Sequence, residues 1–284
     1  MADYGRELEF GWFADPAEDP ATLLAAARVA DAAGLDLIGV QDHPYNNKQL
    51  DSLALLSAMG AVTERIRLFP DVANLALRGA VLLANTAASI DRLTNGRFEL
   101  GLGSGAFWDA IVALGGPRWT PGEARRATEE AIDVMKAWWS ERSLTHDGTH
   151  FRVKGARPGP QPAHPIGIWL GVSGPRMLDL LGRKADGWLP SLSFVPPEKL
   201  PDAHARIDEG CAKAGREPSS INRIYNLWGD HSVAEWTELL TGFTVEHGMN
   251  AYVFGGPPTE SFLRMVGEEI APAVRAAVAA ERGR

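Results

Sequence analysis

The residues Asp42 and His43 stand side by side where an apolar run, Leu35 to Val40, gives way to Pro44. A carboxylate beside an imidazole at the end of a buried strand can move protons, because histidine changes charge close to neutral pH. The same pair can equally cap a loop and bond to backbone, which is the commoner role for an isolated Asp-His. Three further stretches bear on the choice. Asp71, Val72 and Asn74 emerge from the next apolar run, "IRLFPDVAN". In "LGLGSGAFWDA", Gly101, Gly103 and Gly105 strip side chains away, so that backbone can closely approach something flat or bulky, and Ser104 lies between the last two. In "GIWLGVSGPRM", Gly171, Val172, Ser173 and Gly174 lead from a strand into a helix that starts at Pro175. Such a turn presents free amide N–H groups and the positive end of a helix dipole, an arrangement suited to a phosphate. Arg176 adds a charged donor, and Ser191 at the end of the following strand a hydroxyl donor.

Other chemistries find less support. Gly101, Gly103 and Ala106 satisfy the dinucleotide pattern G-x-G-x-x-A. That pattern belongs to a first strand–helix unit opening into a long helix, whereas three units precede it here and Gly115-Gly116-Pro117 soon follows. None of the seven His residues has metal-ligand spacing on a helix face; His146 and His150 flank an Asp147-Gly148 turn. No G-x-S-x-G elbow or G-x-x-x-x-G-K loop occurs. Cys211, the single cysteine, reads as a packed thiol inside a helix.

Around these stretches, short β-rich runs alternate with Ala- and Leu-rich segments of helical period. Asp19-Pro20 opens the first helix, Asn95-Gly96 closes a later one, and Thr120 with Glu123 forms a capping box. A hairpin at "HDGTHFRV" and the Pro-rich "RPGPQPAHP" precede the fifth strand, and a final helix is expected from Thr259 to Glu281. Eight strand–helix units in 284 residues, without linker composition, predict one (β/α)8 TIM-barrel domain over residues 1–284 with an insertion before strand 5. All the stretches above then fall at C-terminal strand ends, the catalytic rim of such a barrel. A net charge of −8 with dispersed Arg and Lys argues against nucleic acid. The chain has no apolar run of membrane-spanning length, and its cysteine usage fits the cytoplasm.

Together, "QDH", "PDVANL", "RFELGLGSG", "GVSGPRMLDLLGRKADGW" and "MNAYVFG" resemble the luciferase-like family of flavin- and deazaflavin-dependent oxidoreductases, above all its F420-dependent branch. The likeness covers most of the chain. It implies coenzyme F420, or FMN as the alternative, with its phosphate on Gly171 to Arg176 and near Ser191. It further implies a ring pocket formed by Asp42, Asp71, Val72, Asn74, Gly103 and Ser104. A non-proline cis peptide is implied at Asp71-Val72, and His43 matches the family's histidine beside the reactive ring. Two departures stand out: Ala106 replaces the acidic glutamate of sugar-phosphate-oxidising members, and Asn47 replaces their tryptophan. Asp109 becomes the candidate second acid.

The expectation is a hydride-transferring oxidoreductase acting with His43 and Asp109 on a small organic substrate, as a cytoplasmic homodimer without a metal. The alternatives are an FMN monooxygenase and a catalytically silent cofactor-binding protein. An aldolase or isomerase barrel would need a Lys or carboxylate at a strand end, and no convincing Lys stands there.

Overall fold

The structure is a computed structural model that describes residues 3–283. The chain opens with β1 (Glu9–Ala14) and α1 (Pro20–Ala32), the latter capped by Asp19, whose side chain accepts the Thr22 N–H. There follow β2 (Leu37–Val40), α2 (Ser52–Ala61), β3 (Arg67–Pro70), β4 (Ala73–Asn74), α3 (Leu75–Arg78) and α4 (Ala80–Leu93). Asn95 and Gly96 then take the left-handed angles that end α4, with φ of 56° and 82°. Next come β5 (Leu100–Gly103), α5 (Trp108–Ala113) and α6 (Pro121–Ser140), whose Thr120–Glu123 capping box is fully formed. The hairpin of β6 (Leu144–Asp147) and β7 (Arg152–Ala156) leads to β8 (Ile168–Leu170), α7 (Pro175–Lys184) and β9 (Gly187–Trp188). The remaining elements are α8 (Leu200–Lys213), β10 (Asn222–Trp228), α9 (Val233–Val245), β11 (Ala251–Gly255), α10 (Glu260–Arg264) and α11 (Ala271–Arg282).

The main sheet is parallel and runs β3, β2, β1, β11, β10, β9, β8, β5, β4. Its two ends, β3 and β4, are halves of one barrel strand, separated by the cis peptide between Asp71 and Val72. The N–H of Leu68 donates to the carbonyl of Arg97 at 2.8 Å, and that of Glu99 to the carbonyl of Leu68 at 2.9 Å. These bonds join β3 to the foot of β5 and close a (β/α)8 barrel, with the hairpin inserted before the fifth barrel strand.

Strands covered by helices are buried on both faces, hence their near-continuous apolar runs. Outside the barrel, Leu23, Leu56, Leu83, Ile132 and Leu181 pack helices onto strands. Inside, Leu37, Phe69, Trp169, Leu189, Ile224 and Val253 form a separate apolar plug. Each such side chain contributes about 1.5–3 kcal/mol by leaving water. The plug fills the lower barrel, so any open space lies at the C-terminal ends of the strands.

The last helix departs from expectation. A π turn over Met265–Ile270 separates α10 from α11. Pro272 has no N–H for the carbonyl of Glu268, so the regular ladder fails there and the preceding turn widens. Within that turn Gly267 rests against the carbonyl of Ala33, a fit that a Cβ would prevent.

Candidate active site

β2 delivers Asp42 and His43 to the barrel mouth, and the two part company there. The Asp42 side chain is only 1% exposed. Its Oδ1 accepts Ser52 Oγ at 2.9 Å and Arg78 Nη2 at 2.6 Å, while Oδ2 accepts the Asn74 N–H at 2.8 Å and Arg78 Nε at 2.7 Å. This carboxylate ties the loop after β2 to α2, β4 and α3. With both oxygens committed to protein donors, Asp42 braces the rim; it is not free to bind a ligand as the sequence suggested. Asn74 Oδ1 accepts the Leu77 N–H and caps α3.

His43 remains half-buried with Nδ1 2.6 Å from the Tyr45 hydroxyl. Phe107 meets the imidazole edge-on at 5.7 Å. Burial pushes the imidazole below its ordinary pKa of 6.5, although the neighbouring Asp42 charge opposes this. A neutral ring held by two aromatic neighbours is suited to donating or accepting a single hydrogen bond in a fixed direction.

Beside His43 opens a cavity of about 770 Å³, walled by Trp12, Phe13 and Trp228 and reached by Asp71, Val72 and Ser191. Gly171, Val172 and Ser173 complete one side. An adjoining lobe of about 120 Å³ shares His43, Val72 and Gly171 and is bordered by Asp42, Asn74, Gly103 and Ser104. Glycine is required here by close approach. A Cβ on Gly103 would lie 2.7 Å from Val72 Cγ2, and one on Gly171 would lie 3.0 Å from Val72 Cγ1. The Val72 bulge therefore projects into the cavity with glycine backbone on two sides.

At the rim, Gly174 is the N-cap of α7 and offers no side-chain cap. Asp19, Asp51, Thr120 and Ser232 cap α1, α2, α6 and α9 with their own side chains. The preceding loop is held by a bond from Trp188 Nε1 to the carbonyl of Val172 at 2.8 Å. A planar ring against Val72, with an anion at the uncapped start of α7, matches the chemistry of these residues.

Two sequence candidates lie elsewhere. Asp109 is 96% exposed and paired with Arg118, outside both cavities, because α5 turns that face to solvent. Arg176 is exposed on α7 and does not line the cavity. Ser191 is in place, but its Oγ accepts Asn226 Nδ2 at 3.3 Å, so it is part of the cavity wall. Residues that sequence reasoning passed over include Tyr45, Asn226, Arg78 and the tryptophans Trp12 and Trp228. Asn226 carried a usable signal, an uncharged polar residue within the otherwise apolar strand "INRIYNLW". Among the described residues, no His, Cys, Asp and Glu cluster could hold a metal ion, and no helix is long and apolar enough to cross a membrane.

The chain is similar in sequence and fold to several known proteins. A 5,10-methylenetetrahydromethanopterin reductase of Methanolobus tindarius is 30% identical over 217 residues, 76% of this chain and 63% of that protein. The match thus spans less than two thirds of that relative. An F420-dependent glucose-6-phosphate dehydrogenase of Nocardia farcinica is 30% identical over 233 residues, 78% of this chain and 68% of that one. Among solved structures, an F420-dependent secondary alcohol dehydrogenase in complex with an F420-acetone adduct superposes with a TM-score of 0.82 at 19% identity, over 95% of this chain and 99% of that one. The family model described as luciferase-like monooxygenase matches residues 8–228, from β1 through β10, and the chain belongs to that family.

Proposed function

We propose that this protein is a coenzyme F420-dependent oxidoreductase that moves a hydride between the deazaflavin and a small organic substrate. One observation carries the proposal: a single cavity is bounded by the Val72 bulge, by His43 and by the loop leading to the uncapped start of α7. The F420-dependent relatives support the choice of cofactor over FMN. When bound, the deazaflavin supplies hydride chemistry at C5 of its ring.

The chain's own residues would supply orientation, electrostatics and exclusion of water. Val72 and the glycines around it form a backstop for one ring face. Ser173 and the first-turn amides of α7 hold the phosphate. His43, with Nδ1 engaged by Tyr45, presents Nε2 to the reacting centre as a hydrogen-bonding or proton-exchanging group.

The walls also bear on the substrate. Among the described residues, the cavity lining contains no Lys or Arg but includes Asp15 and Glu18. A phosphorylated sugar would enter against negative charge with no cation to receive it, and Ala106 and Asn47 replace the residues that sugar-phosphate-oxidising members use. The favoured substrate is an uncharged carbonyl, alcohol or enone compound packed between Trp12, Phe13 and Trp228. A cytosolic homodimer with one domain over residues 1–284 belongs to the same proposal, resting on the family resemblance and the lone buried thiol.

Titration with F420 and, separately, FMN is the test, together with the mass of whatever cofactor co-purifies. Saturable F420 binding with turnover on a carbonyl, alcohol and enone panel is expected. Full occupancy by FMN with no affinity for F420 would establish the monooxygenase alternative. Tight F420 binding with no turnover on the panel would leave a silent cofactor-binding protein.

A further inference from the structure

The cavity lacks both acids expected of it. Ala106 carries no carboxyl, and Asp109 points into solvent against Arg118. One carboxyl is present at the floor instead. Asp71 leaves β3 directly above the apolar plug, its Cβ 3.3 Å from where a Cβ on Gly39 would stand, next to the Phe69 ring. Part of the residue borders the cavity, yet Oδ2 is enclosed and has no hydrogen-bond partner. The Oδ1 of Asn226, on β10 in the same cavity wall, is also enclosed and unpartnered. The Asn226 side chain offers the Asp71 carboxyl a hydrogen bond, but these two acceptor oxygens stay unpaired in one buried site and call for a hydrogen, either on the carboxyl or on a ligand.

We propose that Asp71 is the proton-exchanging acid of this cavity, its carboxyl passing a proton to the substrate oxygen as that oxygen gains negative charge. The proposal rests on the oxidoreductase assignment above. In the reducing direction, a hydride from the reduced deazaflavin adds to the carbonyl carbon, the C=O π pair moves onto oxygen, and that oxygen takes the Asp71 proton. The resulting alcohol leaves and the Asp71 carboxylate regains a proton from solvent through the cavity. Oxidation of an alcohol follows the same path in reverse.

The surroundings fit this role. Burial pushes the Asp71 carboxyl up to about 7, with the Asn226 amide opposing in part. Burial pushes His43 the other way, so on the acid side of pH 7 the floor of the cavity holds a proton while the rim imidazole is biased toward its neutral form. The other ionisable side chains lining the cavity are His43 on the β2 loop and Asp15 and Glu18 on the β1 loop; the ends of β5, β8, β9, β10 and β11 contribute none. Among the described residues, no opposing cation holds Asp71 ionised.

Infrared difference spectra of the cofactor-free protein, wild type against Asp71→Asn, provide a readout independent of turnover. A protonated-carboxyl C=O band is expected at pH 6, lost above pH 8 and absent from the variant. The near-isosteric variant should bind F420 within a few-fold of wild type, lose about 100-fold in turnover, and lose the ionisation near pH 7 from its pH–rate profile. Asp71→Glu should restore that ionisation. Absence of the band at pH 6, or an Asp71→Asn enzyme with wild-type turnover and pH profile, overturns the proposal. Failure of both proteins to bind F420 overturns the cofactor assignment alone, since the infrared band still decides whether Asp71 holds a proton.

Discussion

The Tyr45 hydroxyl lies 2.6 Å from Nδ1 of His43, and the two rings tilt against each other at 5.4 Å. This contact fixes the imidazole by the nitrogen turned away from chemistry and leaves Nε2 for a ligand. A hydrogen bond to one ring nitrogen sets the tautomer of the other, so Tyr45 acts through His43 as a positioning residue.

His43→Ala should lower turnover by about 10²–10⁴-fold, the usual range for a positioned acid–base group, while cofactor affinity changes little. Tyr45→Phe keeps the ring contact and removes only the hydroxyl. It should cost roughly 10-fold in kcat, the scale of one hydrogen bond, and shift the His43 ionisation seen in the pH–rate profile. Steady-state kinetics from pH 5 to 9 would check both; wild-type values for Tyr45→Phe would remove its positioning role.

Gly174→Asp separates stability from binding. The site has φ −73° and ψ 142°, with open space where the Cβ would go, so the side chain fits. An aspartate N-cap should stabilise α7 by a few tenths of a kcal/mol over glycine. It would also place a negative charge where the cofactor phosphate is proposed to sit. Tm should stay level or rise while F420 affinity falls by about 10-fold or more, consistent with one unfavourable charge contact. Undiminished affinity would move the phosphate elsewhere.

Arg78→Met tests the brace behind the site. Arg78 is 15% exposed and pairs with the almost fully buried Asp42 and with the half-exposed Asp51. Removing one partner of a buried pair leaves the other charge unsatisfied, at a cost of about 3–5 kcal/mol. Urea unfolding should show a loss of that order, with the midpoint lowered and the m-value unchanged.

At the opposite end of the barrel, His164 Nδ1 sits 2.6 Å from Asp91 Oδ1, and Nε2 lies 3.6 Å from Glu99 Oε1. The Asp91 bond, then Glu99, raises this histidine to about 9 against partial burial. Below pH 6.5 the imidazole is charged in both folded and unfolded chains, and the pairing contributes fully. Between about 6.5 and 9 the unfolded chain loses its proton first, so stability falls as pH rises through that window. Chemical denaturation across this range should show the slope, and His164→Gln should flatten it.

Asp109→Ala should leave both turnover and stability within experimental scatter, about 0.5 kcal/mol, because the side chain is exposed and its Arg118 pairing is a surface contact. A large loss of kcat would return Asp109 to the site through a rearrangement of α5.

Much of the architecture was legible because it is encoded locally. Asp19 with Thr22, Thr120 with Glu123, and Asn95 with Gly96 act within a few residues, so helix starts and stops follow from composition and spacing. Strand ends could be placed for the same reason, and with them the rim on which His43, Val72, Ser173 and Ser191 meet. The π turn before Pro272 shows where a local rule stopped short: the proline was visible, but the packing of Gly267 on Ala33 was not.

The sequence by itself determined the order of strands and helices, the barrel, and which segments reach its mouth, since periodicity and capping are properties of neighbours along the chain. Only the tertiary structure decided what each polar side chain does there. Asp42 became a brace because Arg78, 36 residues away, folds onto it. Asp109 turned to water with the exposed face of α5, and Asp71 met Asn226 above the apolar plug. Burial and charge pairing set the fate of a carboxyl, and both arise from residues brought together across the barrel.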